Sequence, residues 1–140
     1  MKDTHKLTIG ILAKESGVGV ETVRFYERKG LLKRPLKRCV GYRQYERDDI
    51  TRITFIKRSQ VLGFTLREIQ ELLKLNSSPR ATCSDVRAKA DLKIMEIEEK
   101  IRDLQNMKHI LKELAAACGE SKQAVTKCRI LNCFEPGWKC

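Results

Sequence analysis

The sequence has few residues that break secondary structure and no long apolar run. It contains only 3 prolines in 140 residues and no low-complexity tract, which predicts an all-α (mainly) chain of short helices followed by one long helix. No stretch approaches about 18 uninterrupted apolar residues, and the N-terminal string MKDTHKLTIGILAKES has too short an apolar run for a signal peptide. These absences predict a cytoplasmic protein that makes no membrane contact.

Motifs for enzyme or cluster chemistry are missing too. The chain has no C-x-x-C pair, and its two histidines, His5 and His109, have no evident nucleophile partner. It also lacks the closely spaced four-cysteine run that an iron–sulfur cluster needs. We therefore expect a protein that is not an enzyme, in which the six cysteines serve metal binding, redox sensing or plain burial rather than a disulfide framework.

Acidic residues are scarce relative to basic ones. The chain carries 29 Lys and Arg against 18 Asp and Glu, a formal net charge of +11. Residues 1–76 hold 17 of the basic and 9 of the acidic side chains, so most of the excess lies in the N-terminal half. A charge of this size favours a polyanionic partner such as nucleic acid.

The first thirty residues have the pattern of a helix-turn-helix. Thr8 is placed to cap a helix that ends at Gly17, and the string VETVRFYERKG predicts a second helix that ends at Gly30. The linker GVGV joins the two into a helix-turn-helix candidate. In that motif the second helix enters the DNA major groove. We expect it to turn apolar Val23 and Phe25 inward and a basic, aromatic face outward. That outward face would consist of Arg24, Tyr26, Arg28 and Lys29.

A hairpin and two further helices complete this unit. The string GYRQYERDD, with residues alternating after Gly41, predicts a short hairpin, or wing. Asp48 is the predicted cap of a third helix, DITRITFIKRSQVLG, and Thr65 with Glu68 forms a capping box for a fourth, LREIQELLKL. Together these elements predict a winged helix-turn-helix DNA-binding domain over residues 1–76.

Three strings in this domain carry a family resemblance. Their order and spacing resemble those of the MerR family of transcriptional regulators. The strings are LTIGILAKESGVGVETVRFYERKGLL, GYRQY and RITFIKRSQVLGFTLREIQELLKL. The resemblance implies that Thr22, Arg24 and Tyr26 in the second helix contact DNA. It implies the same for Arg43 and Tyr45 in the wing, with Lys57 and Arg58 as phosphate contacts. Cys39 is outside the family pattern, and we expect an incidental thiol there.

A single long helix is predicted after the DNA-binding domain. From Thr82 the chain has no Pro or Gly until Gly119, which predicts a helix over residues 82–118, long enough to need a partner helix. Alternating steps of four and three residues place apolar side chains on one seam, as in a coiled coil, with Lys108 the one exception. The seam residues are Ala90, Ile94, Ile97, Ile101, Leu104, Lys108, Leu111 and Ala115.

The same steps place Cys83 and Cys118 on this seam, one at each end. They lie roughly 52 Å apart along one helix at 1.5 Å per residue, so one chain cannot bring them together. Two antiparallel copies can, because pairing residue i with residue 201 minus i sets Cys83 opposite the partner copy's Cys118 and Ile97 opposite its Leu104. This indicates an isologous homodimer, although a parallel pair stays open at this point.

A third cysteine completes a candidate metal site. The segment after Gly119 is long enough to turn back and present Cys128 beside Cys118. Three thiolates, Cys83 from one copy and Cys118 with Cys128 from the other, favour a soft cation, with mercury(II) or, less selectively, cadmium(II), lead(II) or zinc(II) as candidates. The stretch CSDVRAKADLKI is most similar to the mercury(II)-responsive branch of the MerR family, in which the three matching cysteines bind Hg(II) between both subunits.

The C-terminal tail departs from that branch. The loop between Cys118 and Cys128 is one residue longer than we expect, and residues 119–140, the predicted metal-binding loop and tail, add Cys133 and Cys140. A tail thiol could supply a fourth ligand and favour tetrahedral zinc or cadmium; alternatively, the tail is disordered and irrelevant.

The resemblance also implies partners and a mechanism. We expect a homodimer on a palindromic promoter operator, where metal binding distorts the DNA so that RNA polymerase can align. A mercury(II) sensor that activates a resistance promoter is the first reading. The alternatives are a zinc-, cadmium- or lead-responsive regulator of the same family, or a thiol-redox-responsive regulator.

Overall fold

The computed structural model describes residues 6–35, 43–118, 122, 124–134 and 136. Within these ranges the chain is helical, and its only β element is one isolated antiparallel bridge between Leu7 and Tyr45. The predicted mainly helical fold is confirmed. None of the described helices combines the length and apolar character needed to span a bilayer. The helices are α1 Ile9–Ser16, α2 Val20–Arg28, α3 Arg47–Val61, α4 Leu66–Ser77, α5 Cys83–Cys118 and α6 Arg129–Asn132, with a 3-10 turn at Val125–Lys127.

The chain divides into two compact units, Met1–Ala90 and Asp91–Cys140. The first has a continuous apolar core to which α1 to α4 all contribute. Its fully buried side chains include Leu12, Val23, Leu31, Ile53, Ile56 and Ile69. The domain limits 1–76, 82–118 and 119–140 remain predictions, since compactness alone does not define a functional boundary.

Local capping fixes the helix-turn-helix as predicted. The Thr8 hydroxyl accepts a hydrogen bond from the Ile11 N–H at 3.4 Å, and α1 ends at Gly17 with a left-handed φ of 63°. A side chain at this φ is strained, which explains the glycine. Three residues separate α1 from helix α2, which ends just before Gly30, as the sequence indicated.

The start of α3 differs from the prediction. Glu46, and not Asp48, is the N-cap residue, and its backbone N–H donates to Asp49 Oδ2 at 2.9 Å. Asp49 stands three residues after the cap, where a carboxylate can reach back to the free N–H groups of the first turn. The Thr65–Glu68 capping box of α4 is confirmed: the Thr65 N–H donates to Glu68 Oε2 at 2.7 Å, and the Glu68 N–H donates to Thr65 Oγ1 at 3.3 Å.

The segment predicted as the wing is described only from residue 43 onward, so Gly41 and Cys39 lie outside the described residues. Tyr45 pairs with Leu7 through two backbone hydrogen bonds of 2.8 Å. The described end of the wing is therefore joined to the strand-like residue that precedes α1.

The long helix is confirmed as Cys83–Cys118, and it begins one residue later than predicted. Its first turn is closed by Asp85, whose Oδ2 accepts from the N–H of Thr82 at 2.7 Å and from its hydroxyl at 2.9 Å. The apolar seam is exposed along the helix: Ile97 is 40 % exposed and Leu104 62 %. A row of large aliphatic side chains in water is unusual for a folded chain and marks an interaction surface.

Candidate metal centre and nucleic-acid interface

Helix α2 presents polar side chains on one face, but Tyr26 is not among them. Tyr26 is 3 % exposed, and its hydroxyl donates to Gln60 Oε1 on α3 at 2.9 Å. The expectation that Tyr26 points outward is wrong because it lies three residues after fully buried Val23, on the same helical face. Burial raises the pKa of Tyr26. Arg24 does lie outward, in an exposed 3.3 Å ion pair with Glu21.

A groove runs beside the helix-turn-helix and brings four predicted DNA contacts together. It has a volume of about 1000 Å³, and Thr22, Tyr26, Lys57 and Arg58 line it. Gly17, Val18, Gln60, Val61 and Leu62 complete its walls. Two cationic side chains beside the recognition helix give this groove a positive edge that suits phosphate.

Lys57 has a second set of partners within the fold. Its ammonium donates to the carbonyl oxygen of Gly17 at 2.9 Å and to that of Ser16 at 3.4 Å. These carbonyls end α1, where a cation complements the helix dipole. Lys57 therefore links α3 to the turn between α1 and α2.

The wing residues Arg43 and Tyr45 meet a carboxylate that the sequence patterns did not reveal. The Glu27 side chain is 4 % exposed, and it accepts from the Tyr45 hydroxyl at 2.6 Å and from Arg43 at 3.4 Å. Tyr45 itself is fully buried. Burial and the hydrogen bond to Glu27 raise the pKa of Tyr45 to about 12. The helical pattern of α2 does not distinguish Glu27 from Glu21, the other acid of the helix, so the sequence carried no signal for this cluster.

The three cysteines predicted for a metal site form no disulfide. Cys83 is the first residue of α5 and is exposed, whereas Cys118 is its last residue and is half-buried. The sulfur atoms of Cys118 and Cys128 lie 3.9 Å apart. The predicted return of the chain, which sets Cys128 beside Cys118, is confirmed. The backbone N–H groups of Leu131 and Ile130 lower the pKa of the Cys128 thiol, and the Cys118 thiol lowers it further.

This pair of thiols fits a thiophilic ion. Two sulfur atoms that are each about 2.3 Å from one zinc ion, at angles between tetrahedral and trigonal, are about 3.8–4.0 Å apart. In the part of the chain that is described, however, no group of three or more Cys, His, Asp or Glu side chains is arranged to hold a metal. Cys133 is disulfide-bonded, so it offers no thiolate here, and Cys140 lies outside the described residues.

Comparisons with known proteins agree with the helix-turn-helix and the long helix. A family model described as MerR HTH family regulatory protein matches residues 7–76, and one described as MerR, DNA binding, matches residues 50–114. The chain belongs to the MerR family. As a MerR-family member it is a DNA-binding transcriptional regulator and not an enzyme.

Relatives of this MerR-family chain extend over nearly its whole length. The mercuric resistance operon regulatory protein of Serratia marcescens is 42% identical over 130 residues, which cover 93% of this chain and 88% of that protein. Two solved structures are similar as well. One is the MerR regulator of Bacillus megaterium MB1 in complex with mercury(II), with 40% identity, coverage of 90% and 97%, and a TM-score of 0.69. The other is a regulator of Ralstonia metallidurans CH34 in complex with lead(II), with 33% identity, coverage of 92% and 99%, and a TM-score of 0.82.

Proposed function

We propose that this MerR-family regulator responds to mercury(II) and activates a resistance promoter. The observation that carries the proposal is the 3.9 Å separation of the sulfur atoms of Cys118 and Cys128 at the end of α5. Thiolates select soft cations over magnesium or calcium. The similarity to a mercuric resistance regulator and to a mercury(II)-bound relative supports mercury as that cation.

The third ligand in this proposal is Cys83 of a second copy. Antiparallel pairing of the seam places Cys83 opposite the partner copy's Cys118, and it covers exposed Ile97 with the partner copy's Leu104. A homodimer therefore has two equivalent sites, each with one thiol from one chain and two from the other. Membership of a family whose regulators act as dimers supports this assembly.

The DNA side of the proposal gives the seven predicted residues three roles. Thr22, Arg24, Arg43 and Arg58 reach bases or phosphates directly, because their side chains are at least partly exposed. Tyr26 and Lys57 act from the groove that they line. A direct DNA contact by Tyr45 would require exposing a fully buried ring, so we assign Tyr45 a supporting role. Two-fold symmetry of the dimer then calls for a palindromic operator, on which RNA polymerase is the partner.

Metal binding can change the DNA-binding state because the proposed ligands come from both chains of the dimer. A bound ion stabilises the dimer conformation in which the three thiolates lie closest to its preferred geometry. Only the difference in metal affinity between two dimer conformations can shift the equilibrium between them. Cys83 begins the helix that follows the DNA-binding domain, so any movement of Cys83 is passed to the neighbouring α4–α5 connection. The DNA-binding heads then change their relative placement and distort the promoter.

A metal titration of the reduced full-length protein tests the proposal. Hg(II), Cd(II), Pb(II) and Zn(II) are added separately while thiolate charge-transfer absorption and transcription from the promoter are followed. We expect a selective response to Hg(II) that is lost in Cys83→Ser, Cys118→Ser and Cys128→Ser and kept in Cys133→Ser, the matched control. Equal induction by cadmium or zinc would overturn mercury selectivity.

Lead is the second candidate effector because a relative of 33% identity is a lead(II) complex. Selective induction by Pb(II) that depends on the same three cysteines would establish it. Induction by a thiol oxidant without metal would instead support the redox-responsive reading.

A further inference from the structure

Glu27 is one of two acids in the recognition helix α2, and unlike the side chain of Glu21 its side chain is buried. Its carboxylate is 4 % exposed, and a buried charge destabilises a fold unless donors satisfy it. Two donors do so here. The Tyr45 hydroxyl donates to Oε1 at 2.6 Å, and Arg43 donates to Oε2 at 3.4 Å.

Both donors come from one short segment that is fixed at a third point. The backbone of Tyr45 pairs with Leu7 through two hydrogen bonds, so residues 43–45 are held to the residue before α1 and to α2. Arg43 keeps 23% of its side chain exposed. A guanidinium has five N–H donors, and among the described residues Arg43 contacts the Glu27 carboxylate and the Tyr45 hydroxyl. Because its side chain is partly exposed, the guanidinium can also reach a group outside the chain.

We propose that Glu27 is a positioning residue for DNA binding: it holds the Arg43 guanidinium at a fixed place relative to the recognition helix, ready to meet a phosphate. An unrestrained arginine loses side-chain entropy when it is ordered. Because the bond to Glu27 already orders Arg43 in the free protein, less of that entropy is lost when DNA binds. The inference rests on the proposed DNA contact of Arg43. It adds a residue that touches no DNA and yet sets affinity.

If net charge alone set the affinity for DNA, removing Glu27 would strengthen binding, whereas a positioning role predicts weaker binding. The direction of the change in affinity therefore distinguishes the two. Removing an acid from a DNA-binding protein raises its net charge and strengthens phosphate binding. Glu15→Gln, at an exposed acid of α1, should follow that rule and bind DNA as tightly as the wild type or slightly more so. Glu27→Gln has the same charge change and shape. We expect it to bind promoter DNA about tenfold more weakly, as for the loss of one charge-assisted hydrogen bond.

A double-mutant cycle on the full-length dimer separates positioning from a merely structural role. Operator affinity is measured at several salt concentrations for wild type, Glu27→Gln, Arg43→Ala and the double variant, with thermal unfolding as the check on folding. We expect Arg43→Ala to weaken binding and to reduce the salt slope by about 1. In that background Glu27→Gln should have less than a twofold effect, because there is no guanidinium left to position.

Two outcomes would overturn the proposal in distinguishable ways. If Arg43→Ala weakens binding and Glu27→Gln weakens it by the same factor in both backgrounds, the DNA role of Arg43 stands and Glu27 is only structural. If Arg43→Ala changes neither affinity nor salt slope, the DNA contact of Arg43 fails and the inference fails with it. Should Glu27→Gln not fold, Glu27→Asp replaces it in the cycle, because it keeps the charge and withdraws the carboxylate from Arg43 and Tyr45 by the length of one methylene.

Discussion

The sulfur atoms of Cys118 and Cys128 lie 3.9 Å apart, although ten residues separate them along the chain. Helix α5 ends at Cys118, and the chain returns so that Cys128 precedes α6. One chain thus contributes a ready pair of thiols from a single end of its long helix. A three-thiolate site needs one more sulfur, and in the antiparallel dimer that we propose it would be Cys83 of the partner copy.

Mixed dimers test this division of ligands between chains. When Cys83→Ser is combined with Cys118→Ser, one of the two sites should lose both ligands and the other should keep all three. We therefore expect the mixed dimer to bind one Hg(II) with a three-thiolate spectrum, although neither homodimer does. Stoichiometry from the charge-transfer absorption gives the measurement.

The control carries the same two substitutions on one chain, paired with a wild-type chain. Each site then lacks one thiol, so no three-thiolate spectrum should develop. If both mixed dimers behave alike, the ligands do not come from different chains in the way proposed.

Lys108 interrupts the apolar seam and gives a second prediction. A single lysine at a seam position lowers coiled-coil stability while favouring one register. Replacing it by leucine should raise the dimer's unfolding free energy by about 1–3 kcal/mol per subunit through added apolar burial. Urea unfolding at several protein concentrations measures this. Arg102→Leu, away from the seam, is the control and should change the dimer little; an equal gain at both positions would contradict the seam.

Helix limits were predictable from the sequence because the features that set them are local. Thr8, Gly17 and the Thr65–Glu68 pair act within one turn of the helix end that they define. Asp48 was assigned wrongly as a cap for the same local reason: two neighbouring acids compete, and Asp49 is the one whose carboxylate reaches the Glu46 N–H. Such choices depend on positions one residue apart.

Features that depend on distant residues were beyond the sequence patterns. Tyr26 was expected to lie outward with the basic side chains of α2, but its ring is buried and its hydroxyl donates to Gln60, 34 residues away. Glu27 joins Arg43 across 16 residues, a pairing that no helix or strand period encodes. The proximity of Cys118 and Cys128 could be predicted because a short return loop leaves few other places for the second thiol.

Tyr45 predicts an alkaline limit to stability. Its pKa in the fold is about 12, above the value of about 10 for an unfolded tyrosine. The stabilising contribution of the neutral phenol is thus complete below pH 10 and is lost as pH rises toward 12, with a slope of at most about 1.4 kcal/mol per pH unit. Tyr45→Phe has no phenol to ionise. The difference in unfolding free energy between wild type and Tyr45→Phe should therefore shrink from pH 9.5 to 11.5, as measured by urea unfolding; parallel curves would contradict the assignment.

We expect Lys57 to contribute to both fold stability and DNA affinity, and neighbouring Arg58 to contribute to DNA affinity alone. Its ammonium donates to the Gly17 and Ser16 carbonyls at the end of α1, whereas neighbouring Arg58 is exposed. Lys57→Met keeps the aliphatic chain but removes these bonds, so we expect the unfolding free energy to fall by about 1–2 kcal/mol. Arg58→Met should leave it within about 0.5 kcal/mol of wild type, as for most surface changes.

The two substitutions remove the same charge, so both should weaken operator binding and reduce its salt dependence if both side chains meet phosphates. Urea unfolding and salt-dependent binding on the same two variants therefore distinguish the roles. A stability loss confined to Lys57→Met, with DNA affinity reduced in both, is the expected result. If Lys57→Met unfolds at the wild-type urea concentration, the contact with the end of α1 contributes nothing measurable, and Lys57 serves DNA alone.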